Sequence, residues 1–267
     1  MIQFLCLIRN KQKLYTERMN AIELQHVTKK YKDFTLSDIS FAVPEGKIVG
    51  LVGENGAGKT TIIRSIMGSC HFNDGIITVM GEDTKNDSHF AQIKQAVGVV
   101  LDEGCLPILK VKDMEAIFKA AYVNWDHETY RNLLNEFELP VKKSVRQLSR
   151  GQKMKLALAL ALSHKAKILV LDEPTGGLDP LVRDEIIEKL KNFVQDDESH
   201  SILFSSHIIS DIEKICDYVA YIHKGKIQFF EEKNTLMQKV RERELPNLEE
   251  YIIAFAKEVK KNESAAY

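Results

Sequence analysis

Residues 53–61 read GENGAGKTT, and this stretch decides the fold. It matches the pattern G-x-x-x-x-G-K-[ST], in which glycines let the backbone curl until successive N–H groups face one anion. The apolar residues 47–53 precede it, and residues 60–68, which have helical spacing, follow it. A bound phosphate would therefore meet the positive N-terminal end of a helix. This context predicts a phosphate-binding loop between a buried strand and a helix.

Side chains of the same loop are candidates for holding a nucleotide. The pattern predicts that Lys59 reaches the β- and γ-phosphates and that the Thr60 hydroxyl ligates Mg²⁺. A glycine-rich loop sometimes matches such a pattern by chance, but the strand before it and the helix after it argue against that here. The predicted nucleotide-binding residues of the loop are Gly53, Glu54, Asn55, Gly56, Ala57, Gly58, Lys59, Thr60 and Thr61.

Two adjacent acids follow a second apolar run. Residues 168–171, ILVL, lead directly to Asp172 and Glu173, at the strand edge where open α/β sheets bind ligands. Neighbouring carboxylates repel each other, so such a pair indicates a bound cation or a catalytic task. Asp172 is predicted to hold Mg²⁺ through water, and Glu173 to polarise the water that attacks the γ-phosphate. The alternative is two solvated acids at a strand end, which a phosphate loop in the same sheet disfavours.

The remaining pattern predicts an α/β fold with two additional parts. Residues 21–27 and 36–43 alternate, as half-buried antiparallel strands do, whereas residues 47–53 are nearly all apolar, as in a strand covered on both faces. From about residue 111 to 164 the chain reads as three successive helices, with Pro140 between the second and third. The α/β pattern then resumes, so the helices form an insertion.

The composition excludes several classes of protein. The 37 basic and 38 acidic residues give a formal net charge of −1, which provides no long-range attraction to nucleic acid or anionic lipid. The 4 cysteines are scattered without a C-x-x-C pair, as expected in a reducing cytosol rather than in a disulfide framework. No apolar stretch approaches the roughly 20 residues that cross a bilayer. We expect a protein that does not itself span a membrane.

The N-terminal segment lacks the pattern of a secretory signal. Residues 1–8, MIQFLCLI, are apolar, but the positive charges follow them, whereas a secretory signal has the reverse order and a longer apolar core. We expect residues 1–20 to form a disordered or loosely docked tail. Translation beginning at Met19 is the alternative.

Residues 148–152, LSRGQ, open the third predicted helix of the insertion. Ser149 is a suitable N-cap, and Gly151 leaves the backbone exposed beside the positive helix end. A pentapeptide of this kind is more often only a helix start. A functional role for this segment is indicated only by its occurrence together with the other motifs.

The chain from about Ala21 to Ile227 resembles the ATP-binding subunit of ABC transporters. The resemblance is carried by six motifs in the family order: the phosphate loop, a glutamine-loop position, LSRGQ for the signature LSGGQ, LVLDEP, the turn before Asp179, and the switch histidine His207. It implies a P-loop NTPase core of mixed sheet and helices, an antiparallel β subdomain and an inserted α-helical subdomain. The implied domains are the tail 1–20, the cassette 21–230 with a helical subdomain at about 104–164, and a helical tail, 231–267.

The resemblance also implies residue roles and partners. Tyr31 would stack on adenine, His207 would contact the γ-phosphate, and Asp179 would communicate across a dimer. The signature of one subunit would close on ATP held by another subunit, in a homodimer or a heterodimer. The implied contacts from the opposite chain are Ser149, Gly151 and Gln152, and the cofactors are ATP and Mg²⁺.

Two positions depart from the family pattern. Asp102 stands where a glutamine that touches Mg²⁺ is expected, and we predict that it can still ligate the metal. Arg150 replaces a signature glycine and adds a positive charge near the partner's nucleotide. The segment 99–104, VVLDEG, resembles a bacterial exporter branch that serves antibiotic, peptide or lipid efflux.

The leading hypothesis is an export motor that lies on the cytoplasmic face of the cell membrane and drives a separate transmembrane permease. The alternative is a soluble ABC-type ATPase of ribosomes or DNA. The single cassette, the lack of heptads before the signature and the near-neutral charge disfavour nucleic acid as a partner. A small-molecule kinase would leave LSRGQ and His207 without a role.

Overall fold

A computed structural model describes residues 19–101 and 106–265, so the predicted tail 1–20 lies almost wholly outside the described residues. Short 3₁₀ helices occur at Lys94–Ala96 and Val145–Gln147. The strands are β1 Asn20–Lys30, β2 Thr35–Pro44, β3 Ile48–Val52, β4 Asp74–Val79, β5 Glu82–Asp83, β6 Val97–Val100, β7 Ile168–Asp172, β8 Ser201–Ser206, β9 Tyr218–His223 and β10 Lys226–Glu232. The α-helices are α1 Lys59–Ile66, α2 Asp87–Ile93, α3 Val111–Ala121, α4 His127–Glu136, α5 Arg150–Leu162, α6 Pro180–Asp196, α7 Ile209–Ile215, α8 Lys233–Glu242 and α9 Leu248–Ala265.

The central sheet has six strands in the order β10-β9-β3-β8-β7-β6. Strands β9, β3, β8, β7 and β6 are parallel, and β10 pairs antiparallel with β9. All residues of β3, β7 and β8 are buried, as expected for parallel strands covered on both faces. Because β8 lies between β3 and β7, the carboxyl ends of these three strands meet at one edge of the sheet.

A second, antiparallel sheet has the order β2-β1-β4-β5. Along β2 the buried side chains largely alternate with exposed or partly buried ones, whereas in β1 shifts of register interrupt the alternation. Both strands have buried and exposed residues, so the predicted half-buried strands are confirmed. Strand β3 contributes to two cores: Val49 and Leu51 pack with the antiparallel sheet and α1, while Ile48 and Val52 belong to the helical side. The two faces of β3 therefore pack in two different cores, one shared with the antiparallel sheet and one shared with the helices.

Helices α3, α4 and α5 lie consecutively in the chain between β6 and β7, as the helical spacing predicts. The Asp126 carboxylate caps α4 by accepting hydrogen bonds from the backbone N–H groups of Glu128 and Thr129, both at 3.0 Å. Helix α5 is buried along most of its length, which explains its nearly continuous run of leucine and alanine. Pro140 lies between α4 and α5, as predicted.

Three short segments of the structure, β5, α2 and β6, are not predicted by the sequence pattern. Strand β6 is only four residues long, VGVV, and a glycine weakens the strand signal. The glycine has a packing reason, because a Cβ on Gly98 would lie 2.6 Å from Leu169 Cδ2. Close backbone approach to β7 therefore outweighs propensity at this position.

The charged C-terminal segment forms α8 and α9, with Pro246 between them. Helix α9 packs on the edge of the central sheet: the Phe255 ring meets the rings of Tyr221 and Phe229 edge-on, at centroid distances of 6.0 and 5.2 Å. Among the helices described, none combines the length and the apolar character that crossing a bilayer requires.

Candidate active site

The phosphate loop joins β3 to α1, as the sequence predicts, and close packing requires two of its glycines, Gly53 and Gly58. Gly58 has φ +115°, and a Cβ there would lie 2.4 Å from Leu36 Cδ2. A Cβ on Gly53 would lie 2.5 Å from the carbonyl oxygen of Ile222. Larger residues would therefore force the loop away from its neighbours. The chain turns here into the N-terminus of α1, whose first residue is Lys59.

The Lys59 ammonium is buried within this loop, with 6% of its side chain exposed. It donates hydrogen bonds to the carbonyl oxygens of Gly53, at 2.7 Å, and Glu54, at 3.3 Å. Its third contact is the Glu173 carboxylate, with Nζ 3.1 Å from Oε1. Oε1 accepts no hydrogen bond of good geometry, so this contact is an ion pair. The ammonium is held where an incoming anion would compete with Glu173.

Asp172, at the end of β7, is fixed by two hydroxyl groups. The Thr60 hydroxyl donates to Oδ2 at 2.7 Å, and the Ser205 hydroxyl of β8 donates to Oδ1 at 2.6 Å. The first contact joins the phosphate loop to the acid pair, although 112 positions separate the two residues in sequence. Thr60 and Asp172 together offer hydroxyl and carboxylate oxygens, which are the ligand types that Mg²⁺ prefers.

Glu173 follows in a left-handed backbone conformation, with φ +51°, which is uncommon for a residue with a side chain. Its N–H donates to the carbonyl oxygen and the hydroxyl of Ser205, both at 3.1 Å. These bonds hold the conformation. The Glu173 carboxylate lies between the Lys59 ammonium, which contacts Oε1, and the His207 imidazole, whose Nδ1 is 2.6 Å from Oε2. His207 also donates its backbone N–H to Oε2 at 3.3 Å.

Lys59, Thr60, Asp172 and Glu173 line a cavity of about 340 Å³, whereas Ser205 and His207 do not. Of the predicted loop residues, Gly53, Glu54 and Ala57 do not line it; the first two instead bind Lys59 through their carbonyl groups. The lining residues are Phe34, Asn55, Gly56, Gly58, Lys59, Thr60, Thr61, Asp172 and Glu173.

Phe34 is the lining residue that the sequence analysis missed. The predicted adenine-stacking residue, Tyr31, is not in the cavity lining. Its hydroxyl lies 3.1 Å from Cys70 Sγ, and this hydrogen bond is the main reason that the pKa of Tyr31 is raised. Its ring is 6.5 Å from that of Phe34. An aromatic residue three positions after Tyr31, in the turn before β2, was the available signal.

The Glu54 side chain points away from the cavity lining and toward the C-terminal helix. Its Oε1 lies 2.8 Å from Lys260 Nζ of α9. This hydrogen bond and charge hold the pKa of Glu54 below its usual range. The phosphate loop therefore contacts the C-terminal segment directly.

The signature residues lie apart from this cavity, at the start of α5. The Ser149 hydroxyl accepts a hydrogen bond from the Gln152 N–H at 3.2 Å, and the Gln152 side chain accepts one from the Ser149 N–H at 3.1 Å. The predicted N-cap is thus part of a reciprocal capping box. Neither residue, nor Gly151, lines the described cavity.

Of the predicted residues Asp179 and Asp102, the structure describes only Asp179. Asp179 caps α6, accepting the Val182 N–H at 3.1 Å. Asp102 lies outside the described residues, so its predicted role at Mg²⁺ stays a prediction. Within residues 19–101 and 106–265, no cluster of three or more histidine, cysteine or acidic side chains forms a metal site.

Comparison with known proteins identifies the family. The family profile described as "ABC transporter" matches residues 36–176. The ABC transporter ATP-binding protein NatA of Bacillus subtilis is 34% identical in an alignment of length 218 that covers 78% of this chain and 86% of NatA. The lantibiotic transport ATP-binding protein SrtF of Streptococcus pyogenes is 32% identical over 77% of this chain and 88% of SrtF.

A solved structure supports the fold. The dimeric post-hydrolysis state of an ATP-binding cassette bound to ADP and Pi superposes with a TM-score of 0.71 at 23% identity, over 79% of this chain and 98% of that one. The residues matched by the family profile, 36–176, contain the phosphate loop, the signature and the acid pair. The chain therefore belongs to the ABC transporter family, as one of its ATP-binding, ATP-hydrolysing cassettes.

Proposed function

We propose that this cassette hydrolyses ATP at the Lys59 cavity and powers export through a separate permease subunit. The observation that carries the proposal is the meeting of Lys59 and Glu173, 3.1 Å apart, in a cavity that also holds Thr60 and Asp172. A γ-phosphate entering there would replace the carboxylate as the partner of Lys59. Glu173 would then be released toward the attacking water.

Mg²⁺ fits the oxygen ligands at this site. The Thr60 hydroxyl and the Asp172 carboxylate are already 2.7 Å apart, and both are hard oxygen donors. In the proposal, Thr60 would ligate the ion, Asp172 would hold it through water, and Asp102 would contribute a further carboxylate. When bound, the ion would neutralise charge on the β- and γ-phosphates.

Glu173 is proposed as the residue that activates water. The water oxygen forms a bond to the γ-phosphorus as the bond to the β–γ bridging oxygen breaks, and ADP leaves. The proton of the water passes to the Glu173 carboxylate. His207 Nδ1 lies 2.6 Å from Oε2, so in the proposal His207 orients that carboxylate and contacts the transferred phosphoryl group.

We infer that a second cassette completes the site. The signature residues Ser149, Gly151 and Gln152 stand at the exposed N-terminal end of α5, where backbone N–H groups and the helix dipole favour an anion. Their absence from the cavity of their own chain supports a role at the ATP of a partner chain. Asp179, at the neighbouring start of α6, would communicate between the two sites.

The permease contact is proposed for the helical subdomain, residues 104–164. Apolar side chains are exposed just before α3: Ile108 is 84% and Leu106 is 48% exposed. Such residues suit a helix delivered by a membrane subunit. In this arrangement the cassette, residues 21–230, is peripheral on the cytoplasmic face of the membrane, and residues 231–267 form a C-terminal tail. The name of SrtF, lantibiotic transport ATP-binding protein, supports a role in transport.

Light scattering tests the proposed dimer. The Glu173→Gln chain with Mg·ATP is expected to shift from 30.4 kDa to twice that mass, because ATP is bound but not hydrolysed. The double variant with Lys59→Ala should remain monomeric. A Glu173→Gln chain that stays monomeric at saturating ATP contradicts the proposal.

Stimulation of ATPase activity by the co-purified membrane subunit tests the permease contact. Ile108→Glu should abolish the stimulation while leaving the basal rate unchanged. Val123→Glu is the matched control, since Val123 is 89% exposed beyond the end of α3. Equal stimulation in both variants would place the permease contact elsewhere.

A further inference from the structure

The signature helix and the turn after the acid pair are in direct contact within one chain. Helix α5 begins at Arg150, and α6 begins at Pro180, after the turn at residues 176–177. A Cβ on Gly151 would lie 3.1 Å from Val182 Cγ1, so the two helix starts approach as closely as glycine allows. A movement of the signature therefore has a short physical path to this turn.

The Arg150 guanidinium lies against both glycines of the turn. A Cβ on Gly177 would lie 3.2 Å from Arg150 Nη1 and 3.4 Å from Cζ, and one on Gly176 would lie 3.6 Å from Nη2. Gly177 also has φ +66°, a conformation that side chains disfavour. The planar cation thus occupies the space that side chains would otherwise fill. Arginine in the signature and glycine in the turn fit each other.

The same turn reaches the catalytic acid. The Gly176 N–H donates to the Glu173 carbonyl oxygen at 3.1 Å. His207 Cε1 lies 3.7 Å from the position of a Gly176 Cβ, close to the same point as Arg150 Nη2. His207 in turn contacts the Glu173 carboxylate at 2.6 Å. Arg150, the turn, His207 and Glu173 are therefore consecutive neighbours.

We propose that Arg150 is a positioning residue that packs on the Gly176–Gly177 turn and, through it, links the signature to the Glu173–His207 pair of its own chain. Nucleotide held by a second copy would contact the signature, and Arg150 would transmit that contact to the hydrolytic site. The inference rests on the proposed function and adds a route by which one nucleotide regulates hydrolysis of the other. Packing of the planar group, rather than charge alone, is the essential feature.

Steady-state ATPase measurements on the full chain test the inference. Arg150→Gln is expected to lower kcat about 10-fold, because a displaced turn misorients the reacting groups. The Hill coefficient for ATP should fall toward 1, while the ATP Kd of the Lys59 cavity stays within about two-fold. Arg146→Gln, in the 3₁₀ helix just before α5 and exposed, is the matched control and should behave as wild type.

A lysine variant separates packing from charge. Arg150→Lys keeps the charge but loses the planar group, so it should remain at least about 3-fold slower than wild type. A kcat for Arg150→Lys equal to wild type would overturn the inference, because charge alone would then suffice. So would a kcat for Arg150→Gln equal to that of Arg146→Gln.

Thermal melting tests whether Arg150 has a merely structural role. The midpoint of Arg150→Gln should lie within about 2 °C of the control, and a larger loss that explains the lower rate would overturn the inference. Failure of the proposed function gives a different result. In that case wild type and Lys59→Ala would hydrolyse ATP at the same background rate, whatever stands at position 150.

Discussion

Replacement of Glu173 by glutamine separates ATP binding from hydrolysis at this site. Glutamine keeps the shape of the side chain and an oxygen acceptor, but it removes the charge that faces Lys59 at 3.1 Å. At an effective dielectric constant of about 20, that separation corresponds to a Coulomb attraction of about 5 kcal/mol, most of which desolvation of two buried charges offsets. The Lys59 ammonium should therefore become more available to a phosphate. We expect an ATP Kd equal to or lower than that of wild type.

Hydrolysis should respond in the opposite direction. Loss of a general base lowers rates by about 10²- to 10⁴-fold, which is about 3–5 kcal/mol of activation free energy. The left-handed backbone at Glu173 is held by its N–H bonds to Ser205, and the substitution leaves these bonds intact. The loss of rate should therefore come without a loss of folded protein.

Phosphate release and equilibrium ATP binding, measured on the same preparations, test both expectations. Glu188→Gln, which changes an exposed glutamate of α6, is the matched control and should retain the wild-type rate. A Glu173→Gln turnover within three-fold of wild type would remove Glu173 from the chemistry. Weaker ATP binding in this variant would refute the competition between carboxylate and phosphate for Lys59.

Three further substitutions probe the surroundings of the cavity. Gly58→Ala should lower the free energy of unfolding by about 1–3 kcal/mol, because residue 58 has φ +115° and its new Cβ would lie 2.4 Å from a leucine of β2. Urea unfolding measures this loss. Gly56→Ala, whose Cβ would lie in open space, is the milder control. Phe34→Ala should weaken ATP binding by about 1–3 kcal/mol if its ring stacks on adenine, and leave tripolyphosphate binding unchanged; equal losses for both ligands would refute stacking. Lys260→Ala should cost at most about 1 kcal/mol near neutral pH, as exposed ion pairs do. The pKa of Glu54 is lowered in the folded chain. The stability from its ion pair with Lys260 is therefore present above the unfolded pKa of about 4.3 and is lost as pH falls through the folded pKa. Below that pH, unfolding measurements should no longer distinguish Lys260→Ala from wild type.

The parts of the fold that depend on local pattern could be predicted from sequence. Residues 47–53 read as a buried strand, and residues 60–68 as a helix, because apolar periodicity and glycine punctuation act over a few residues. Strand β6 was missed because four residues carry too little pattern, and its glycine reflects contact with β7.

The candidate site shows the same division. The motif order predicted which chain segments meet, since strand ends in a parallel sheet share one edge. It did not predict the contacts that depend on side-chain packing between distant elements. Phe34 lines the cavity where Tyr31 was expected, and Lys260 reaches Glu54 across 206 positions. Such contacts are set by tertiary geometry, which no local pattern encodes.

Calorimetric titration of Mg·ATP into wild type and Lys59→Ala tests the central claim most directly. Lys112→Ala, which removes an exposed lysine of α3, serves as the control. Wild type and the control should bind one nucleotide per chain, and Lys59→Ala should bind at least about 10-fold more weakly, since charge-assisted hydrogen bonds to phosphate are lost. Equal affinity in all three proteins, or no binding to wild type at millimolar nucleotide, would contradict the account.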